Sequence, residues 1–339
     1  MPLLELRDLT VELPTPSDWV APVNSVSLAL EPGESIGLVG ESGSGKTMLS
    51  LALMGLLPQG ARVRGEALLA GTNSNAINLA TLSAEDDERW RAVRGRRIAM
   101  IFQEPMTALN PVMRVGAQLS EAIRAHEPAL RGAALNRRVL EALALAAIPE
   151  PERRIHQFPH ELSGGLRQRV LIAMAIAAGP VSSSRNASSS SPLADRILIA
   201  DEPTTALDVT VQKQILELLS KLRRELGLAL IFITHDLGVV AQIADRLLVL
   251  YAGRIVESGP VHAVLRNPRH PYTQGLLRAS LRLDRRPVVP IAGAVPSLDS
   301  LPPGCAFSPR CPKHIAECDA AVPTLRPAGE HHDARCILV

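Results

Sequence analysis

Eight residues, Gly40-Glu41-Ser42-Gly43-Ser44-Gly45-Lys46-Thr47, have the types and spacing to hold a chain of phosphates. A glycine, four intervening residues and then Gly-Lys-Thr is the phosphate-loop pattern. Its glycines let backbone N–H groups close around an anion, and a helix N-terminus adds partial positive charge. On this pattern Lys46 reaches the β- and γ-phosphates and the Thr47 hydroxyl ligates Mg²⁺. Binding of a nucleoside triphosphate is the chemistry expected. Downstream, Arg196-Ile197-Leu198-Ile199-Ala200-Asp201-Glu202 is an apolar run ending in two carboxylates. Ligands of parallel sheets sit at the carboxyl ends of strands. There Asp201 would hold Mg²⁺, directly or through water. Glu202 would polarise the attacking water as general base, a role contributing about 10² to 10⁴ in rate. Between the two lies Leu162-Ser163-Gly164-Gly165-Leu166-Arg167-Gln168-Arg169. Ser163 can cap a helix running to Ala178, and the glycines leave N–H groups free to meet an anion. An ordinary capped helix fits the same residues.

The four cysteines all fall within the last 35 residues, as Cys305-x5-Cys311-x6-Cys318-x17-Cys336. In a reducing cytosol disulfides are disfavoured, so the clustering favours metal ligation. No C-x2-C pair appears, so zinc ribbons fit poorly, and bacterial ferredoxin spacing does not match. Four thiolates can still bind zinc or an iron–sulfur cluster, and four free buried thiols also suit the pattern.

Elements must position these groups. Ser35–Val39 is an apolar run leading into the phosphate loop, and Met48–Met54 can continue as a helix, giving strand, loop and helix. Residues 3–13 partly alternate and read as an edge strand, followed by a proline-containing loop with Trp19. Ser25–Leu30, Ala67–Ala70 and Arg97–Phe102 are further strands. Ser83 caps a short helix, Ala84–Val93, with acidic residues in its first turn. From about 104 to 178 the chain reads as a helical insert, alanine- and leucine-rich from 114 on. Val209–Leu226 is the clearest amphipathic helix, with Val211, Ile215, Leu218, Leu219, Leu222 and Leu226 on one face and Gly227 to end it. Leu228–Thr234 and Leu247–Tyr251 are apolar strands. Alternating strands and helices predict a mostly parallel α/β sheet covered on both sides. Ser182–Ser191 is low-complexity and reads as a flexible surface insertion.

With 339 residues the chain can build two or more domains. A net charge of +2 and 2% aromatics give no case for nucleic acid as a partner. No apolar run approaches the roughly 18 residues of a membrane span, and the start lacks the basic and apolar stretches of a secretory signal. The cytosol is the expected compartment.

Ser163-Gly164-Gly165-Leu166-Arg167-Gln168, paired with Gly40–Thr47, resembles the signature motif of ABC-type ATPases. The resemblance covers essentially the whole chain, and other elements follow in the family's order. Gln103 in Phe102-Gln103-Glu104-Pro105 is similar to the Q-loop, Leu198–Glu202 to Walker B, Ala206-Leu207-Asp208 to the D-loop, and His235 in Thr234-His235-Asp236 to the switch histidine. Phe102–Pro111 and Asn267-Pro268-Arg269-His270-Pro271-Tyr272-Thr273 resemble the oligopeptide and dipeptide importers. The resemblance implies a P-loop ABC ATPase fold: a RecA-like, mostly parallel sheet core, an N-terminal antiparallel β subdomain and an inserted helical subdomain. Residues 1–260 would be the nucleotide-binding domain, with its helical subdomain at about 104–178, and 261–339 a small cysteine-containing C-terminal domain.

The same resemblance implies ATP and Mg²⁺ as cofactors, with Thr47, Gln103 and Asp201 around the metal. Two cassettes would pair head to tail, each ATP lying between the phosphate loop of one and the signature motif of the other. Ser163 and the Gly165 N–H would face the partner's ATP. His235 would contact the γ-phosphate, and Gln103 would sense metal and water. Hydrolysis then removes the ligand bridging the pair, a two-state switch. The implied partners are two membrane permease subunits, a second homologous ATPase as a heterodimer, and, indirectly, a periplasmic or extracellular binding protein. The implied location is peripheral, on the cytoplasmic face of the membrane. Members of this family carry a similar cysteine array that ligates a four-iron, four-sulfur cluster, which implies that role for Cys305, Cys311, Cys318 and Cys336. Related systems move nickel or glutathione, so the solute stays open. Non-transport ABC ATPases of DNA repair or translation are the competing class, but they tend to carry tandem cassettes or coiled-coil arms, and this chain has one phosphate loop and no heptad run. A P-loop kinase would leave Ser163–Gln168 and His235 unexplained. The family usually stacks adenine on an aromatic near the first strand; here Leu13 stands near that position, which leaves Trp19 as a substitute or a merely apolar contact to the adenine.

Overall fold

Leu4, Leu6, Leu9 and Val11 are buried along one strand, β1 (Leu4–Pro14), which pairs antiparallel on both sides. Its partners are β2 (Trp19–Leu30) and β4 (Arg62–Leu69), and β5 (Ile77–Asn78) follows β4 in the order β2-β1-β4-β5. The edge strand expected at residues 3–13 is therefore interior to its sheet. Alternation reports which face is buried but is silent on how many neighbours a strand has. The computed structural model describes residues 2–16, 18–71, 76–83, 85–178, 195–205, 207–280 and 289–339. They divide into two units, Met1–Ala84 with Phe232–Val339, and Glu85–Ile231. The serine-rich Ser182–Ser191 and Ala206 lie outside the described residues.

In the first unit, all of β3 (Ser35–Val39) is buried, as a strand covered on both faces must be. It ends at the phosphate loop, and α1 (Lys46–Met54) begins there, burying Leu49, Leu53 and Met54.

The second unit opens with α2 (Asp87–Val93), whose cap is the Asp86 carboxylate accepting from the Arg89 N–H at 3.3 Å. The cap expected at Ser83 thus falls three residues later, where a carboxylate directly precedes the first turn. Strand β6 (Ile98–Ile101) runs parallel to β7 (Ile197–Asp201), with Ile98 opposite Ile197. Among the described residues between them come the α-helices α3 (Pro105–Ala108), α4 (Val115–Arg124), α5 (Gly132–Leu145), α6 (Pro151–Arg154) and α7 (Gly164–Ala177). Val115, Leu119 and Ile123 of α4, Val139 and Leu143 of α5, and Val170 and Ile176 of α7 make the insert's core. Arg196, just before β7, closes the end of α7. Its guanidinium donates to the Ala175 carbonyl at 3.1 Å and the Ile176 carbonyl at 3.3 Å, and Arg138 reaches the Ala177 carbonyl at 3.3 Å. Cations at a helix C-terminus satisfy orphan carbonyls and oppose the dipole's negative end. Burial lowers the Arg196 pKa to about 10, with the Arg138 charge adding to the effect. Helix α8 (Val209–Leu226) ends at Gly227 in the left-handed conformation, as its sequence predicts.

Strand β8 (Ala229–Thr234) carries the chain back into the first unit. There α9 (Leu237–Ile243) precedes β9 (Arg246–Tyr251), which is parallel to β3. Strand β10 (Arg254–Pro260) turns antiparallel to β9. After α10 (Val261–Arg266) and α11 (Pro271–Ala279), β11 (Arg326–Gly329) and β12 (His332–Ala334) add antiparallel strands beyond β10. Buried Glu257 of β10 holds this tail. It accepts the Arg269 N–H at 2.6 Å and the His270 N–H at 2.9 Å, and it meets His332 Nε2 at 2.7 Å. A buried carboxylate needs such a set of donors.

Candidate nucleotide site

The phosphate loop stands at the carboxyl end of β3 with left-handed backbone at Gly43 (φ 79°) and Gly45 (φ 105°). A Cβ on Gly45 would lie 2.0 Å from the Pro22 carbonyl oxygen, so that position has neither the φ nor the room for a side chain. Lys46 is 6% exposed. Its ammonium donates to the Gly40 carbonyl at 2.7 Å, the Glu41 carbonyl at 2.9 Å and the Ser44 hydroxyl at 3.3 Å. Ser42, Gly43 and Thr47 are exposed, so a ligand can approach them. The loop is also anchored from outside itself. The Gly253 N–H donates to the Ser44 carbonyl at 3.0 Å, and the Glu41 N–H donates to the Tyr272 hydroxyl at 2.8 Å. His235 is exposed between β8 and the Asp236 carboxylate that caps α9.

In the second unit Asp201 closes β7 and is 2% exposed. Glu202 follows with φ 45°, a left-handed backbone that costs a non-glycine residue about 1 kcal/mol or more. Its Oε2 accepts from Gln103 Nε2 at 3.2 Å and from the Thr205 hydroxyl at 2.9 Å. The predicted base and the Q-loop glutamine are thus hydrogen-bonded. Ser163 caps α7 by accepting the Leu166 N–H at 3.4 Å. Gly164 and Gly165 are half-buried, and a Cβ on Gly165 would lie 2.6 Å from Val211 Cγ1. Asp208 caps α8 by accepting the Val211 N–H at 3.0 Å. Signature glycine and D-loop aspartate therefore meet the same residue, Val211. Of the residues expected around Mg²⁺, Thr47 belongs to the first unit, and Gln103 and Asp201 to the second.

The four cysteines are all free thiols, and together with His270 and Phe307 they line one small cavity. The Cys305 N–H donates to the Cys318 carbonyl at 2.8 Å, joining two of their loops. Burial pushes the Cys305 and Cys311 thiols up, while the backbone N–H groups of Phe307 and Lys313 pull the other way. The Leu338 N–H points at the Cys336 sulfur at 3.5 Å. Among the described residues, no three His, Cys, Asp or Glu side chains converge on a point that one metal ion could fill.

Leu13 is half-buried in β1, and the Trp19 ring is covered on one face by the Arg62 guanidinium, 3.6 Å from its centroid. Three residues that the sequence did not assign to the site touch it: Thr205, Tyr272 and Arg310, of which Tyr272 was read only as part of the Asn267–Thr273 motif. Arg310 pairs with Glu41 at 2.7 Å. A carboxylate inside an anion-binding loop calls for a nearby cation, and that is the one signal by which Arg310 could have been sought.

Comparison with known proteins places these features. The family model described as ABC transporter matches residues 23–181, and that of the oligopeptide/dipeptide transporter C-terminal region matches 256–318. A protein of Brucella ovis described as a peptide import ATP-binding protein is 48% identical over 346 residues, covering 99% of this chain and 97% of its own. The oligopeptide transport ATP-binding protein OppD of Mycobacterium tuberculosis is 49% identical over 339 residues, 99% of this chain and 52% of that one. Among solved structures, a dimeric ATP-binding cassette in a post-hydrolysis state, bound to ADP and Pi, is 26% identical. It superposes with a TM-score of 0.61 over 76% of this chain and 98% of that one.

Proposed function

The chain belongs to the ABC transporter family, as the ATP-hydrolysing subunit of an oligopeptide and dipeptide importer, and from that premise we propose how its residues divide the work. Gly40–Thr47 take the phosphates, Lys46 contacting the β- and γ-phosphates, and Thr47, Asp201 and Gln103 supply hard oxygen donors of the kind Mg²⁺ prefers. The metal, when bound, neutralises charge on the phosphate oxygens. Glu202 accepts a proton from the attacking water, and His235 orients that water against the γ-phosphate. Ser163, Gly164, the Gly165 N–H and Asp208 act on the ATP held by a second, homologous cassette paired head to tail as a heterodimer. The phosphoryl transition state spreads charge over several oxygens, so donors from both sides stabilise it without covalent chemistry.

The observation that carries this assignment is Glu202 itself: a strained left-handed residue beside a buried aspartate, its carboxylate held by Gln103 and Thr205. Strain at such a position is retained where geometry matters to chemistry. Glu202→Gln should keep ATP binding, lose about 10² to 10³ in turnover and accumulate an ATP-dependent closed dimer. Near-normal hydrolysis by that variant would remove Glu202 from the role.

Coupling to transport requires two membrane permease subunits, on which the chain docks at the cytoplasmic face, and a binding protein on the far side that selects the solute. No helix among the described residues is long and apolar enough to cross a membrane. Peptide is the substrate class these relatives favour; nickel and glutathione are the alternatives. Residues 1–260 form the cassette in this reading, and 261–339 the extension. We assign Cys305, Cys311, Cys318 and Cys336 to a four-iron, four-sulfur cluster acting as a structural staple. Its support is four thiols around one cavity, with backbone N–H groups directed at the sulfurs of Cys305, Cys311 and Cys336.

A further inference from the structure

Arg310 places a buried positive charge against the phosphate loop. Its side chain is 4% exposed, yet both terminal nitrogens reach Glu41, Nη1 to Oε2 at 2.7 Å and Nη2 to Oε1 at 3.0 Å. The two-point fork fixes direction as well as distance. The remaining contacts hold the guanidinium still: Nε donates to the Ala292 carbonyl at 3.0 Å and Nη1 to the Tyr251 hydroxyl at 3.3 Å. Tyr272 takes the backbone of the same loop residue, accepting the Glu41 N–H at 2.8 Å. Its ring is packed against both Tyr251, at 4.6 Å between centroids, and Phe307, at 5.4 Å. Glu41 is therefore gripped at side chain and main chain by residues from the tail, 269 and 231 positions later.

Two consequences follow for the loop. A carboxylate inside a cradle for phosphates repels its own ligand unless a cation offsets it, and Arg310 is that cation. With the Glu41 N–H committed to Tyr272, that residue's carbonyl faces Lys46, whose ammonium it accepts at 2.9 Å. We propose that Arg310 and Tyr272 are positioning residues for ATP, through which the cysteine-bearing tail sets the nucleotide affinity of the phosphate loop. Arg310 directly precedes Cys311, so anything that loosens the cysteine loops releases Glu41. The inference rests on the reading that Gly40–Thr47 bind ATP.

The test is a titration of the full-length chain with a fluorescent ATP analogue and Mg²⁺, with KM for ATP measured in parallel. Lys46→Ala serves as the variant that reports on the loop alone. Tyr272→Phe, which removes one hydroxyl and keeps the ring, should raise Kd about three- to ten-fold, as expected for one neutral hydrogen bond. Arg310→Gln should raise it about ten- to a hundred-fold, the range for hydrogen bonds to a charged group, with KM rising alongside. Adding Glu41→Gln to Arg310→Gln should recover most of that loss, because the uncompensated carboxylate is gone. A purely structural role for Arg310 predicts no such recovery. Wild-type affinity in both Tyr272→Phe and Arg310→Gln, or a double variant no better than Arg310→Gln, overturns the proposal while leaving ATP binding intact. A wild-type chain that binds no better than Lys46→Ala overturns the phosphate-loop reading and this proposal with it.

Discussion

A histidine beside a helix start shows how far burial can reset a single residue. His270 caps α11 by accepting the Tyr272 N–H on Nδ1 at 3.1 Å, which only the neutral ring can do. Burial lowers its pKa to about 3, against an opposing hydrogen bond with the Arg335 backbone and with a smaller lowering from the Arg335 charge. Unfolded, the same ring titrates near about 6.5. Below that pH the unfolded chain takes up a proton that the fold refuses until about pH 3, so stability is full above it and falls as pH drops. The slope is about 1.4 kcal/mol per pH unit for one group. Urea unfolding at about pH 5.5 should therefore show about 1.4 kcal/mol less stability than at about pH 7.5 from this residue. His270→Asn, which keeps a capping oxygen, should remove that share of the slope; an unchanged slope would show that His270 does not carry it. At this scale the sequence was legible wherever chemistry is local. Gly40–Thr47 and Asp201-Glu202 declare themselves because their neighbours in sequence supply their surroundings. Glu41 was legible only as a loop residue, because its partner arrives 269 positions later.

At the scale of elements, α7 is held at both ends by different devices. Ser163 caps its start, and Arg196 with Arg138 closes its finish. Near the start it is pressed against α8, where a Cβ on Gly165 would come within 2.6 Å of Val211. An alanine in a helix normally gains about 0.4–1 kcal/mol over glycine, whereas overpacking costs about 1–3 kcal/mol, so the clash should win. Gly165→Ala should lower stability by about 1–2 kcal/mol in urea, and Val211→Ala in the same chain should recover most of it. A neutral Gly165→Ala would mean that α7 and α8 are not tightly apposed there. The capped start of α7 and the apolar face of α8 could be read from spacing alone. That β1 is interior could not, because pairing on its second side depends on β4, some fifty residues on. The cap of α2 was misplaced for a related reason: Ser83 and Asp86 are both good caps, and only the fold chooses between them.

Across the whole molecule, the tail beyond residue 289 has no helix longer than a short 3-10 turn and two brief strands. It is tied down instead by point contacts: Glu257 with His332, Arg310 with Glu41, and the cysteine loops. A segment so poor in regular structure gains most from a cross-linking metal centre. Protein purified without oxygen should carry about four irons and four sulfides per chain, and stripping them should lower the melting temperature. Stoichiometric zinc, or no metal with unchanged melting, would count against the staple. Cysteine spacing alone left zinc, cluster and free thiols open, because which sulfurs share a cavity is a property of the fold. The phosphate loop closes on itself more tightly than its pattern reveals. Lys46 already rests on two carbonyls and a hydroxyl. An ammonium so well provided for changes partners only for an acceptor richer in charge than a peptide oxygen, which a triphosphate is and a nucleoside is not. The loop thus imposes a threshold at the anionic end of its ligand, and ATP is sorted from adenosine before any contact with the base.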